Sequence, residues 1–176
     1  MRWKGSADTK WLFGFDSGKY VLLEGNVFDD EGRLVVENER LELEDFAQRR
    51  GFSTALSKEL EHYYRRSGVD LMTVQATEIG GYTWAREGFD LDPDPVLLQR
   101  SLDNVRRRIQ GLIADTGTDP ADRQLLRQIY DRLKEDSLGK GCPTPKELAD
   151  LRGVDTKLGE KVMIGIDWHG IRWLSD

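Results

Sequence analysis

The segment Gln48–Thr54 combines the residue types that a phosphate-binding loop needs. It follows a predicted strand that ends near Leu43 and precedes a predicted helix that begins at about Phe52. The first N–H groups of a helix lack partners within the helix and carry partial positive charge, so they bind phosphate readily. Gly51 lets a ligand approach the backbone closely. We therefore predict a pyrophosphate site formed by Leu43, Gln48, Arg49, Arg50, Gly51, Phe52, Ser53 and Thr54.

The elements around this loop alternate between strand and helix. Residues 11–44 have the composition of three short strands, the last two joined at a turn that contains Gly32. Apolar residues spaced three or four apart then predict a helix over Phe52–Arg66, and Ser67-Gly68 ends it. A buried strand, a short helix and a short strand follow over residues 69–91. This order predicts two parallel strands joined by a right-handed crossover.

Beyond Asp92-Pro93-Asp94-Pro95 the pattern predicts helices. Apolar residues alternate steps of three and four from Leu98 to Leu112. Asp119 and Pro120 predict the start of a second helix, and Thr144–Glu147 has the spacing of a capping box. Alternating apolar residues over Lys161–Leu174 predict a final strand. We divide the chain into a core (1–92), a helical insertion or cap (93–157) and a final strand region that returns to the core sheet (158–176).

Composition narrows the classes of function. The chain has 176 residues, a formal net charge of −6 and one cysteine. A single cysteine excludes an internal disulfide and a cysteine-rich zinc site. The negative charge argues against a broad nucleic-acid surface, and the arginine clusters 65–66 and 106–108 are expected on solvated helix faces. No apolar run is long enough to span a membrane. We expect a cytoplasmic protein, although a secreted effector without disulfides would have the same composition.

The region from about Arg33 to Asp92 resembles the acyl-coenzyme-A-binding core of the GNAT (Gcn5-related) N-acetyltransferases. That family carries Gln/Arg-x-x-Gly-x-Gly/Ala between a strand and a helix, and this chain has Gln48-Arg49-Arg50-Gly51-Phe52-Ser53. The resemblance extends to the strand residues Leu41 and Leu43, to Gly68 after the helix and to Gly88-Phe89 before a later strand. It implies a mixed α/β fold, a mostly antiparallel twisted sheet that contains one splayed parallel pair.

The resemblance also implies an activity, transfer of an acyl group from acetyl-CoA or another acyl-CoA to an amine. In the family a glutamate of the strand before the loop, or a water chain, often serves as the base, and the candidates here are Glu37, Glu39, Glu42 and Glu44. Glu37 and Glu39 share a face with Leu41 and Leu43 if the strand is regular, so these two are the preferred candidates. An aromatic residue, usually Tyr, often protonates the departing thiolate, and Trp84 occupies that position. Tyr82 lies nearby, but a two-residue step turns it to another side of the helix. No metal is implied.

Two alternatives remain open at this point. Trp84 in place of Tyr would suit a binding module that keeps the fold without transferring acyl groups. The second alternative is a GNAT-like effector or toxin domain of a larger bacterial protein, which the segment Gly80–Phe89 suggests by its resemblance to such domains. The acceptor would be a small molecule or a protein amine, nucleic acid is disfavoured as a partner, and the oligomeric state is open. The two histidines, His62 and His169, are too far apart in the sequence for a metal-ligand motif.

Overall fold

The computed structural model of the chain describes residues 9–14, 20–25, 29, 31–40, 52–133 and 141–175, and for 9–14, 20–25, 38–40, 52–54 and 56 it describes the backbone alone. The protein is a mixed α/β protein. It divides into two units: unit 1 comprises Met1–Val74 and Arg172–Asp176, and unit 2 comprises Gln75–Ile171. The boundaries between the units fall inside two strands.

Unit 1 contains a sheet with antiparallel and parallel pairing. Its strands are β1 (Thr9–Gly14), β2 (Tyr20–Gly25), β3 (Val35–Arg40) and the first four residues of β4 (Leu71–Ala76). They lie in the order β1-β2-β3-β4, with β1–β2 and β2–β3 antiparallel. The pair β3–β4 is parallel, with Val35–Asn38 opposite Leu71–Val74. The predicted parallel pair is therefore confirmed, as is the antiparallel hairpin before it.

The hairpin turn has the predicted chemistry. Gly32 has φ +79°, and its N–H donates to the carbonyl of Asp29 at 2.9 Å. The Asp29 carboxylate accepts the N–H of Arg33 at 2.8 Å and also binds its guanidinium. The hydrogen bond from the Arg33 main chain, aided by the guanidinium, lowers the pKa of Asp29. The sequence signal for this turn is a glycine three residues after an Asp, two residue types that favour turns.

A helix lies between the two parallel strands in the chain. Helix α1 (Phe52–Arg66) begins and ends where the sequence pattern predicts, with two arginines in its last turn and Gly68 at φ +76° after it. Buried Tyr64 packs on its inner face, and burial raises the pKa of the Tyr64 phenol well above its ordinary value. The end of the chain returns to unit 1. The Leu174 N–H donates to the Asp70 carbonyl at 2.9 Å, and Arg172 binds Glu61 of α1 at 2.9 Å.

Unit 2 is mainly helical. Its elements are α2 (Glu78–Glu87), β5 (Asp90–Leu91), α3 (Pro95–Ala114), α4 (Pro120–Arg132), α5 (Pro145–Ala149), α6 (Leu158–Met163) and β6 (Trp168–Trp173), of which the last two residues belong to unit 1. β5 pairs antiparallel with β6. The predicted caps are confirmed: the Asp119 carboxylate accepts the Ala121 N–H, and Thr144 and Glu147 form a reciprocal capping box.

The prediction of a strand across Lys161–Leu174 is wrong in its first half. Leu158–Met163 is a helix, Gly165 then takes φ +77°, and the strand runs over Trp168–Trp173. Leu158 and Val162 lie four residues apart and are fully buried, as one face of a helix requires. Val162 lies within this helix and Ile164 follows its last residue, so the alternation of these two apolar residues does not mark a strand. Trp168–Gly170 forms the first half of this strand.

A buried carboxylate holds the connection between α5 and α6. Asp122 on α4 is 2% exposed, and its two oxygens accept the N–H groups of Val154 at 2.7 Å and Asp155 at 2.9 Å. A Cβ at Gly153 would overlap the same carboxylate, so glycine is needed for this approach. Asp122 thus supplies partners for two main-chain donors that the turn leaves unpaired.

Replacing Asp122 by alanine is expected to lower the free energy of unfolding by about 3 kcal/mol, because two main-chain donors lose a charged acceptor. Asp122→Asn keeps the shape and one acceptor oxygen but turns an NH₂ group towards a donor, so its loss should be smaller. Urea unfolding followed by circular dichroism measures both changes. An alanine variant with the midpoint of the parent protein would show that the carboxylate does not stabilise the turn.

Candidate functional site

The predicted pyrophosphate loop lies between the end of β3 and the start of α1. Leu43 and Gln48–Gly51 lie outside the described residues, and for Phe52, Ser53 and Thr54 the structure gives the helical backbone alone. Helix α1 starts at Phe52 with no acidic residue in its first turn. No carboxylate of that turn therefore offsets the positive end of the helix. In the chain, the loop segment separates this helix from β3, which pairs in parallel with β4.

Glu37 and Glu39 are the two predicted base candidates on β3. Glu37 is half-buried, and it lies opposite Glu24 of β2 and Thr73 of β4. Strand β3 therefore has a neighbour on both sides, which is different from an exposed sheet edge. Glu39 lies two residues further along β3, in the stretch between Glu37 and Arg40 where the pairing with β2 shifts register. Because of this irregularity, strand alternation does not fix the face of Glu39. Its side chain lies outside the described residues.

The aromatic candidates of α2 make contacts on different sides of the helix. The Trp84 ring packs edge-on against Phe89, with ring centroids 5.1 Å apart, and a Cβ at Gly80 would lie 3.6 Å from its indole nitrogen. The Arg86 guanidinium lies over the Tyr82 ring, 5.8 Å from its centroid. The two rings therefore have separate partners, as their two-residue spacing predicts.

The start of α2 has a feature that sequence patterns did not reveal. Glu78 has φ +48°, which is uncommon for a residue with a side chain. Its carbonyl accepts the N–H of Gly165 at 3.1 Å, which is a contact with the segment between α6 and β6. Thr77 is the N-cap, and its hydroxyl makes no capping hydrogen bond. The spacing of hydrophobic residues in the sequence does not indicate where a residue adopts a positive φ.

A polar cleft in unit 2 is a second candidate site. It has a volume of about 560 Å³ and lies between the outer face of α3 and residues 165–167. Just over half of its lining residues carry a charge or an amide: Asn104, Arg107, Arg108, Asp115 and Asp167. The arginines were expected to be solvated. Arg107 and Arg108 are exposed, but Arg106 is not: its side chain is 14% exposed and its Nε donates to the Leu133 carbonyl at 2.7 Å.

Hydrogen bonds hold the polar groups of the cleft in place. The Arg108 Nε donates to the Lys161 carbonyl at 2.8 Å. Asn104 donates from Nδ2 to the Asp167 carbonyl at 2.8 Å, and its Oδ1 accepts from Arg107 at 3.1 Å. The Lys161 ammonium lies 2.6 Å from Asp155, and this hydrogen bond raises the pKa of Lys161 and lowers that of Asp155. The Lys161 charge is thus already paired.

Histidine and cysteine residues form no metal centre in the part of the chain that the structure describes, where no group of three potential His, Cys, Asp or Glu ligands occurs. His62 is exposed. His169 is half-buried on β6, and its main chain makes the contacts: the N–H donates to Ser101 Oγ and the carbonyl accepts from Asp92. Cys142 Sγ lies 3.9 Å from the Pro143 carbonyl.

None of the described helices is both long enough and apolar enough to cross a membrane. Comparison of the chain with protein-family models, with curated proteins and with solved structures gives no match.

Proposed function

We propose that the protein is an acyl-CoA-dependent N-acyltransferase that uses acetyl-CoA and an amine acceptor. The observation that carries the proposal is the β3–α1–β4 arrangement, a parallel strand pair joined by a helix whose first residue is Phe52. The motif Gln48–Ser53 immediately precedes and enters this helix. A pyrophosphate would find unpaired main-chain donors and a positive helix end there.

The proposed roles of the residues come from the family resemblance and from the position of the motif before α1 in the chain. Main-chain N–H groups around Arg50 and Gly51 would bind the pyrophosphate, and the two arginines would add positive charge. The backbone near Leu43 would hold the pantetheine arm and polarise the thioester carbonyl. Glu37 or Glu39 would remove the proton of the acceptor ammonium as it attacks. The half-buried position of Glu37 on an interior strand supports this role better than a sheet edge would.

One observation favours a second candidate function, a module that binds acyl-CoA without transferring the acyl group. Trp84 stands where the family has its proton donor, and its ring packs against Phe89 and over Gly80. An indole N–H is a poor acid, so the leaving thiolate would need its proton from water or from another group. Binding of coenzyme A without turnover of any amine would support this second function.

Isothermal titration calorimetry with acetyl-CoA tests the proposal. We expect binding by the parent protein and about tenfold weaker binding by Arg50→Gln, because a charged contact to phosphate is lost. Arg66→Gln is the matched control, since it removes the same charge at the opposite end of α1. Absence of binding at millimolar acetyl-CoA would refute the proposal. Equal weakening by both variants would show that only net charge matters.

Release of thiol from acetyl-CoA in the presence of amines separates the two candidate functions. The protein contributes at most one thiol per chain, from Cys142, so more than one equivalent of thiol reports turnover. Thiol release that depends on the amine supports acyl transfer. Glu37→Gln should lower its rate about a hundredfold if Glu37 is the base, with acetyl-CoA binding retained. Binding of acetyl-CoA without amine-dependent release of thiol would support the binding module instead.

A further inference from the structure

We propose that the polar cleft between α3 and residues 165–167 binds a free α-amino acid. The cleft combines two arginines with two aspartates in a volume of about 560 Å³, within the range of small-molecule sites. The charged and amide groups of its lining suit a polar ligand. The binding site does not depend on acyl transfer.

Gly111 supplies an observation that the fold does not explain. It lies within α3, where glycine weakens a helix relative to alanine. Its φ is not left-handed, and a Cβ at this position would meet no atom within 4 Å. Neither backbone strain nor close packing therefore requires glycine here. Gly111 lines the cleft, and the absence of a side chain leaves room for a ligand to lie against the helix.

The charges of the lining indicate a zwitterion. Arg107 and Arg108 would attract an anion, but Asp115 and Asp167 in the same lining would repel it. A cation would be attracted by the two aspartates and repelled by the two arginines. A ligand with one carboxylate and one ammonium group satisfies both pairs. Within the described chain, the Asp167 carboxylate makes no hydrogen bond or ion pair, and Asp115 uses one oxygen to accept the Gly117 N–H at 2.9 Å. Both aspartates therefore keep acceptor capacity for an ammonium group.

The arginines are oriented before a ligand arrives. Nε of Arg108 is bonded to the Lys161 carbonyl, so the remaining N–H groups of that guanidinium are left for a carboxylate. Arg107 is held by Asn104, which is itself bonded to the main chain of Asp167. Arginine binds carboxylates through two parallel N–H groups, and orientation in advance reduces the entropy lost on binding.

NMR titration of the ¹⁵N-labelled protein with each standard α-amino acid tests the inference. We expect at least one to shift the amide signals of Gly111 and Gly165 at concentrations up to about 10 mM. The N-acetyl derivative and the carboxamide of that amino acid, which each lack one charge, should bind about tenfold more weakly. Binding of the N-acetyl derivative with unchanged affinity would show an anion site instead. No shift with any amino acid would overturn the proposal.

Variants separate binding from folding. Arg107→Gln should weaken binding about tenfold, whereas Arg100→Gln, the same change at an exposed position of α3 outside the lining, should not. Gly111→Gln should abolish binding and raise the melting temperature, because glutamine favours a helix and projects into the cleft. A Gly111→Gln variant that binds with the affinity of the parent protein would refute the site. Since acetyl-CoA is absent from these titrations, their outcome is independent of acyl transfer.

Discussion

Gly159→Ala is expected to lower the free energy of unfolding by about 3 kcal/mol, near the upper end of what overpacking usually costs. A Cβ at Gly159 would overlap the carbonyl oxygen of Ala149 and lie 2.5 Å from its carbon and 2.8 Å from the Leu148 oxygen. These are main-chain atoms of α5, which cannot turn aside as a flexible side chain can. The Gly159 N–H also donates to the Leu151 carbonyl at 2.9 Å, and separation of the two helices would break this bond.

The matched control is Gly111→Ala, which adds the same methyl group to another helix glycine where a Cβ meets nothing within 4 Å. It should stabilise the protein by about 0.5 to 1 kcal/mol through helix propensity. Urea unfolding followed by circular dichroism compares the two variants. Similar midpoints for both would show that the α5–α6 contact is loose enough to accept a methyl group.

Trp168→Ala is expected to lower the free energy of unfolding by about 4 kcal/mol, because it leaves a large cavity in the core of unit 2. Trp168 is fully buried, and its indole N–H donates to the Gly81 carbonyl at 3.1 Å. Helix α2 approaches closely at this point, since a Cβ at Gly81 would overlap the Met163 carbonyl. Trp168→Phe should cost less, because it retains most of the apolar surface and loses the hydrogen bond.

Trp173→Ala is the control for this second prediction. Trp173 is 47% exposed, and the Arg33 guanidinium lies 5.0 Å from its ring centroid. Loss of an exposed cation–π contact costs about 1 kcal/mol or less. Thermal and urea unfolding should therefore separate the two alanine variants clearly, with circular dichroism as the probe because both changes alter tryptophan fluorescence. Equal losses of unfolding free energy in the two alanine variants would mean that burial does not determine how much each tryptophan stabilises the protein.

Local signals predicted much of the fold. The start of α1, the Asp119 and Thr144 caps and the Gly32 turn depend on a few neighbouring residues, and each is confirmed. The failure at Leu158–Met163 has a tertiary cause. This segment is too short for its periodicity to distinguish helix from strand, and the packing of Gly159 against α5 favours the helix. No feature of the segment alone carries that information.

The candidate sites depend even more on tertiary contacts. Arg106 contacts the Leu133 carbonyl, whereas Arg108 contacts the Lys161 carbonyl. A run of three arginines in the sequence does not reveal this difference. The interior position of β3, which decides the surroundings of Glu37, depends on a strand more than thirty residues later. One signal was present in the sequence: Gly111 interrupts an otherwise regular helix pattern, and a glycine in such a place calls for a backbone or ligand explanation.

The two units are joined by the chain twice, at Val74–Gln75 within β4 and at Ile171–Arg172 within β6. A protease that cuts once cannot release residues 75–171, because the other connection remains intact. Both connections are made of strand residues, and extended backbone that is already hydrogen-bonded fits poorly into a protease active site. Unit 2 is therefore an insertion between two parts of unit 1, and limited digestion should trim loops before it separates the units.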